Sequence, residues 1–586
     1  MRHCRAGTAI AVILLTLSCG GAWAGQLHPD FARQLMLTLP GEVAHGIVVM
    51  SDRADVDEMR ATMEAAPTLA EGHAEIITAL QERARSTQGD LLAYLEQEQR
   101  QGRVESYQSF WIFNAVAVSA DADLLHEIAR RPDVELVFED FEIIQLEPVK
   151  IAPAPEHTRT VEPGLLGINA DLLWDKGITG NGTIVSNIDT GVDGDHEAFG
   201  PRWRGNVPGV PWEECWFDPV TFTNYPWDDG SHGTHTMGTI TGKHDDDIIG
   251  VAYDALWIAA SCIDRVFGPG RFAVYISAIE WTADPDGNPE TFDEVPDVVS
   301  NSWGINTDLP ACDPTFWEAI DMAEAAGAVV VFAAGNEGYT GPASLRNPAD
   351  RNTTPVNCYS VGALQVDQQT IASFSSRGPS TCDFVTIKPE VCAQGDDVRS
   401  SVPGNGYAYY SGTSMATPHV AGAVALMRQA HPNATSDEVK YAILNTAFDL
   451  GVPGDDNDYG MGRVDCLAAA QYLLANIGVT LDLVPEAASV PPGGDLNVTV
   501  YLTNGSAKEV TYDGWADVTL PNSQPYAGNP IIGPKSITLN PGQTKEFHLT
   551  HHVPANAPLG VYTYEGMYGW DHDLLAASDS FTFTVQ

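Results

Sequence analysis

Between residues 163 and 475, short apolar runs alternate with stretches of helical periodicity, and this rhythm leaves few folds open. The runs at 184–188, 256–262, 298–302 and 328–333 are short and almost uniformly apolar, so they read as strands buried on both faces. Residues 232–242 and 315–326 read as helices between them. Strand–helix repeats of this kind imply a parallel sheet covered on both sides, a three-layer α/β fold. Sites in such sheets lie at the carboxyl ends of the strands. Asp189, Ser302 and Asn336 fall at or just past those ends.

The stretch Gly412-Thr413-Ser414-Met415-Ala416-Thr417-Pro418 places a hydroxyl at the mouth of a helix. The apolar pattern Val420, Ala423, Val424, Met427 continues the helix, and Pro418 is tolerated in its first turn. Free N–H groups and the positive dipole end collect there, which suits an oxyanion formed by Ser414. A serine at this position is ordinarily a cap, so three partners are needed to make it a nucleophile. His232, in GSHGTH at 230–235, is the candidate base, with His235 a competitor and a His–His metal pair the alternative. No Glu follows His232 in the manner of a zinc protease helix, which disfavours the metal. Asp189 ends an apolar strand, where a charge needs a partner, and is the candidate orienting acid. Asn336, in AAGNEG at 333–338, offers a side-chain amide to an oxyanion, although Asn beside Gly ordinarily marks a turn.

Taken together, IDTGVD at 188–193, SHGTHTMGT at 231–239, VVSNSWG at 298–304, AAGNEG at 333–338 and GTSMATPHVAG at 412–422 resemble the subtilisin family of serine proteases. The order Asp, His, Ser is that family's order, and subtilisin is the standard example of it. The resemblance implies a subtilisin-like three-layer fold over about 151–475 and a secreted endopeptidase made as a zymogen. It implies Ser414 as nucleophile, His232 as general base and acid, Asp189 as orienter and Asn336 as oxyanion donor. Ser302, Trp303 and Gly304 on one side, and Ala334 and Gly335 on the other, look like the segments that pair with an extended peptide substrate. A binding protein on an inactive scaffold would lack one of these residues, and none is missing.

Residues 25–150 read as an α+β unit of split βαβ type: strands at 46–50, 111–118 and 134–138, helices at 69–102 and 121–131. By resemblance this ferredoxin-like domain is the inhibitory propeptide, an intramolecular partner of the catalytic domain. Its stretch TQGDLLAYLEQEQRQGRVESYQSFWIFNAVAV is similar to bacillopeptidase F-like members of the family. Residues 147–162 are Pro-rich and aperiodic, and are expected to be an exposed linker where maturation occurs. Residues 476–586 alternate apolar and polar positions between Pro and Gly, which predicts a β-sandwich, either a stabilising domain or an adhesion module.

Seventy-eight acids against 30 bases give a formal charge of −48, which disfavours nucleic acid and anionic membranes as partners. The expected partners are protein or peptide substrates. Residues 1–24 have the charged, apolar and small-x-small pattern of a secretory signal, and no later run is long enough for a transmembrane anchor. Seven cysteines follow that segment, an odd number, and Cys382–Cys392 is the expected short closure. The chemistry requires no cofactor. The carboxylate-rich loops are compatible with structural Ca²⁺ at sites not specified by the motifs. The family often has a calcium loop after the catalytic His helix, but here the connection is short, and Asp245-Asp246-Asp247 reads as a solvated acidic turn.

Overall fold

The computed structural model describes residues 25–39, 41–156, 158, 160–263, 270–305, 312–354 and 356–586. The expected signal at 1–24 lies outside them. The described residues divide into two compact units, one with 25–52, 90–108 and 116–139, the other with 53–89, 109–115 and 140–586.

The first unit is built on a five-stranded sheet in the order Gln26–Leu27, Val134–Glu139, Ala44–Met50, Ala115–Ala120, Val104–Phe110. Leaving aside the short first strand, this is the order of a split βαβ fold. Phe31, Val48, Leu91, Leu95, Val118, Leu125 and Val137 fill its core. The strand expected at 111–118 is instead the turn and second arm of a hairpin. Asn114 adopts φ 50°, which breaks the apolar run, and Ile112 and Phe113 are buried in the turn itself. The helix expected over 69–102 is two, Leu69–Thr87 and Gly89–Arg100. Between them Gln88 is buried, and its amide donates to Phe110 O and to Asn114 Oδ1, both at 2.9 Å.

The second unit contains a seven-stranded parallel sheet in the order Val391–Gln394, Tyr359–Leu364, Val329–Ala333, Val298–Asn301, Ile184–Asp189, Leu256–Ser261, Trp216–Phe217. From Ile184–Asp189 the chain steps outward to Leu256–Ser261 through the helix His232–Thr241. It then returns past its starting strand to Val298–Asn301 through Phe272–Ala283, and continues that way through Trp317–Ala325 to Val329–Ala333. Right-handed crossovers place the first helix on one face and the next two on the other. The long helix Thr413–Ala430 packs beside His232–Thr241. The reversal of direction opens a crevice at the carboxyl ends of Ile184–Asp189 and Val298–Asn301, the position where α/β sheets bind ligands.

Residues 479–585 form two sheets of three and five strands, as expected of a sandwich. Leu483, Val500 and Phe547 of one sheet and Trp515, Tyr564 and Met567 of the other line a shared apolar interior. The linker differs from expectation. Lys150–Pro153 is a strand paired antiparallel with Gly406–Ser411, and the buried Arg399 donates to Pro155 O (2.9 Å) and pairs with Glu162 (3.1 Å). Proline-rich composition signalled the absence of helix, not the absence of partners. Arg399 also forms a two-pronged pair with Asp247 at 3.1 and 2.7 Å. That third aspartate of the acidic turn is therefore buried in an ion pair. The disulfide is Cys312–Cys382, not Cys382–Cys392. Cys392 is buried in a strand of the parallel sheet. Sequence proximity misled here because Cys392 belongs to the sheet and Cys382 to a surface loop.

Candidate active site

The crevice is assembled strand by strand. Asn187 and Asp189 are two residues apart on one strand and so share a face. Asn187 Nδ2 donates to Gly233 O (3.0 Å) and Thr236 Oγ1 (2.9 Å), fastening the helix His232–Thr241 to the strand. Close contact there requires glycine: a Cβ on Gly233 would lie 2.0 Å from Gly191 O. Nδ1 of His232 then sits 2.8 and 2.9 Å from the two carboxylate oxygens of Asp189. A carboxylate only accepts, so in the neutral ring the proton is on Nδ1 and the lone pair is on Nε2. That Nε2 is buried and has no hydrogen-bond partner.

One organising residue escaped the sequence reading. Asp228 is buried, accepts from Thr234 N (3.0 Å) and Gly230 N (2.8 Å), and accepts the Thr190 and Thr234 hydroxyls at 2.8 and 2.6 Å. It ties the loop after Asp189 to the start of the His232 helix. Burial pushes its carboxyl up in spite of those donors. The available signal was an acid just ahead of a helix start. His235, the competing base, is structural. Its Nε2 lies 3.1 Å from Val398 O and 3.2 Å from Ala408 O, and the ring stacks on Tyr410 at 4.2 Å. Burial pulls its pKa down to about 3, with His232 adding to the shift.

Ser414 is the second residue of the helix Thr413–Ala430 and is fully buried. Asn336 Oδ1 accepts from Thr413 N (2.8 Å) and its hydroxyl (3.0 Å), which turns Nδ2 towards the cleft as a donor, where Glu147 O takes it at 3.0 Å. Ser302 donates to Ser414 O (3.2 Å). The Ser414 hydroxyl is not bonded to His232; it donates to Leu146 O at 3.4 Å.

The reason is the chain's own residues 143–147, the strand that leads into the linker. Residues 143–145 pair antiparallel with Trp303–Ile305, Ile144 opposite Gly304. On the other edge Ile143 N donates to Gly270 O (2.8 Å) and Phe272 N to Phe141 O (2.9 Å). The strand thus lies between 303–305 and 270–272. Ile143 and Leu146 are 0 and 1% exposed, whereas Glu147 is exposed and its carbonyl accepts from Asn336 Nδ2 at 3.0 Å. Gly270 was not anticipated. Ala334 spends its backbone inside the protein, donating to Val361 O and accepting from Arg346 N, each at 3.1 Å, and Gly335 N donates to Thr413 Oγ1 at 3.2 Å. Arg346 is paired with Glu337 at 2.6 Å, and Tyr339 is exposed. Residues 306–311, which follow Trp303–Ile305, lie outside the described residues.

A parallel α/β sheet with an Asp–His pair and a helix-mouth serine gathered at its reversal point defines a serine peptidase of the α/β class. Comparison narrows the class. The Subtilase family matches residues 180–462, and Peptidase inhibitor I9 matches residues 47–144. Bacillopeptidase F of Bacillus subtilis (strain 168) is 34% identical over 441 residues, 71% of this chain and 30% of that protein. Subtilisin E of the same organism is 34% identical over 373 residues, 63% of this chain and 84% of that protein. Subtilisin of Bacillus pumilus is 35% identical over 316 residues, 53% of this chain and all of that protein. The chain belongs to the subtilase family, as a subtilisin-like serine protease with an I9 inhibitor domain, and spans less than a third of the length of bacillopeptidase F.

Proposed function

We propose that the chain is the zymogen of a secreted serine endopeptidase in which Asp189, His232, Ser414 and Asn336 carry the chemistry. The supporting observation is the linker strand seated between 303–305 and 270–272, with its Leu146 carbonyl at the Ser414 hydroxyl. Secretion is supported by the pattern of residues 1–24 and by the disulfide Cys312–Cys382, which needs an oxidising compartment.

In this reading Ser414 Oγ attacks a carbonyl carbon as its proton passes to His232 Nε2, and Asp189 holds the imidazolium that forms. Asn336 Nδ2, which in the precursor holds the Glu147 carbonyl at 3.0 Å, shifts to the Leu146 oxygen and meets the oxyanion together with the helix-mouth N–H groups. The imidazolium then protonates the leaving amine, and the C–N bond breaks to leave an acyl group on Ser414. Water, deprotonated by the same ring, releases it.

The bond first cut is Leu146–Glu147. Leu146 is buried on the acyl side and Glu147 is exposed on the leaving side. The neighbouring bond, Glu147–Pro148, carries a pyrrolidine ring with fixed φ on its leaving nitrogen, whose bulk and rigidity fit a closed cleft less well. The strand also leaves the cleft blocked until residues up to 146 depart, which makes the propeptide segment an inhibitor in cis. Amino-terminal sequencing of the mature enzyme tests the bond. A start at Glu147 supports it, a start at Pro148 moves the cut by one residue, and a start inside 25–140 rejects cleavage in the cleft.

A further inference from the structure

Far along the chain from the triad, the segment after the helix Phe272–Ala283 reads Asp284-Pro-Asp286-Gly-Asn288-Pro-Glu290-Thr-Phe-Asp-Glu294. Carboxylate oxygens of Asp284, Asp286 and Glu294 come within 4.8 Å of one another. Three like charges so close repel unless something offsets them. The donors that reach them are neutral: Asn288 N and the Thr291 hydroxyl bond Asp286 at 2.7 and 2.9 Å, and Gln81 Nε2 bonds Asp284 at 2.8 Å. No lysine or arginine pairs with any of the three among the described residues. His73, which feels the charge of Asp286, is buried and held neutral.

A second observation points to a ligand. Asp284 is 5% exposed and Glu294 is 1% exposed, yet Asp284 Oδ1 and Glu294 Oε1 have no hydrogen-bond partner. A buried carboxylate oxygen without a donor carries a desolvation cost that a chain ordinarily removes by pairing. Asp286, the exposed member, closes the group from the solvent side.

We infer that Asp284, Asp286 and Glu294 form a Ca²⁺ site. Oxygen-only donors suit a hard cation, and an irregular loop with spare backbone carbonyls suits Ca²⁺ better than Mg²⁺, which demands a strict octahedron. The spacing of Asp284, Asp286 and Asn288 repeats the first three ligand positions of an EF-hand loop, but Gly287 and Glu294 are offset from that motif, so the loop is of its own kind. Trp281, one turn before the first ligand, provides a reporter.

The test uses the purified full chain, stripped with chelator and titrated with Tb³⁺ under tryptophan excitation, then back-titrated with Ca²⁺ and with Mg²⁺. Wild type is compared with Glu294→Gln, Asp286→Asn and, as a charge control, Asp245→Asn in the exposed acidic turn. The expected result is a sensitised phase that Ca²⁺ displaces well before Mg²⁺. Asp286→Asn should weaken it at least about tenfold and Glu294→Gln should remove it, with Asp245→Asn unchanged. Because Asp286 is exposed, its variant keeps the test readable should Glu294→Gln fail to fold. Equal terbium binding by wild type and Asp286→Asn would overturn the site, as would displacement by Mg²⁺ at the same concentration as Ca²⁺.

Discussion

Ser414 and Leu146 are joined by a hydrogen bond of 3.4 Å from the serine hydroxyl to the leucine carbonyl, so the segment just ahead of the linker holds the nucleophile that the imidazole would otherwise engage. The leucine side chain is enclosed at the same point. Leu146→Asp therefore puts an unpaired charge in a closed pocket. Maturation of this variant should slow by at least about tenfold, the usual cost of a mismatched pocket residue. A gel time course measures it. Enzyme matured from either precursor should show the same kcat/KM on a short peptide, since residue 146 has left with the propeptide.

Asn336 works from both ends of its amide, accepting from Thr413 and donating towards the cleft. Only the donor end meets charge that grows in the transition state. Asn336→Ala should lower kcat by about 10²–10³ with little change in KM, a magnitude known from subtilisin itself and carried over to this relative. Steady-state kinetics on a peptide ester or anilide checks it. A loss confined to KM would place Asn336 in ground-state binding instead.

Glu280 accepts two backbone N–H groups from the hairpin turn, Trp111 at 2.6 Å and Ile112 at 3.0 Å. Burial pushes its carboxyl up to about 8 in spite of those donors, and Asp284 adds to the rise. The folded chain thus binds the proton more tightly than the unfolded chain. Its contribution to stability is complete below about pH 4.5 and is lost as pH rises to about 8. The melting temperature of the precursor should fall over that window at fixed Ca²⁺, and Glu280→Gln should flatten part of the fall. An unchanged slope in the variant would contradict this.

Much of this was legible in the sequence because the chemistry is local. Asp189, His232, Asn336 and Ser414 each sit in a short block whose neighbours dictate a strand end or a helix mouth, and each block is where the periodicity placed it. What stayed hidden depends on distant pairing. The role of Gly270 is set by the strand at 141–143, and Asp228 matters through Thr190 and Thr234. The linker looked free because its partners Arg399 and residues 406–411 lie some 250 positions away. The cysteine pairing failed for the same reason: Cys312 is 70 residues from Cys382, and only the fold brings them together.

That disulfide closes a long loop. In the chain-entropy account a closure of this length stabilises by about 4 kcal/mol. Cys382→Ser should therefore lower the melting temperature by several degrees, and the five other free cysteines among the described residues, all buried, should not substitute for it. Calorimetry with and without reductant measures the shift; no difference between the variant and wild type would mean that the bond does not form.

The sandwich at 479–585 is fastened to its unit at several points. Lys176 pairs with Asp571 (2.9 Å) and Asp573 (2.6 Å), Tyr512 donates to Ala430 O (3.1 Å), and Glu509 N donates to Pro67 O (2.8 Å). Truncation after 475 should expose the end of the helix Thr413–Ala430 and lower thermal stability. Release of the propeptide from the truncated precursor should also be faster, because a contact to residue 67 is gone. Unchanged melting together with poorer digestion of insoluble protein would favour an adhesion role instead.

The most direct measurement is made on the full precursor with Ser414→Ala. The hydroxyl is removed while the Asp189–His232 pair and the linker strand remain. The chain should stay intact between residues 146 and 147, release no propeptide and leave casein undigested, while wild type made in parallel is cut there, releases the propeptide and digests casein. Casein digestion or cleavage at 146–147 by the purified variant would contradict the account.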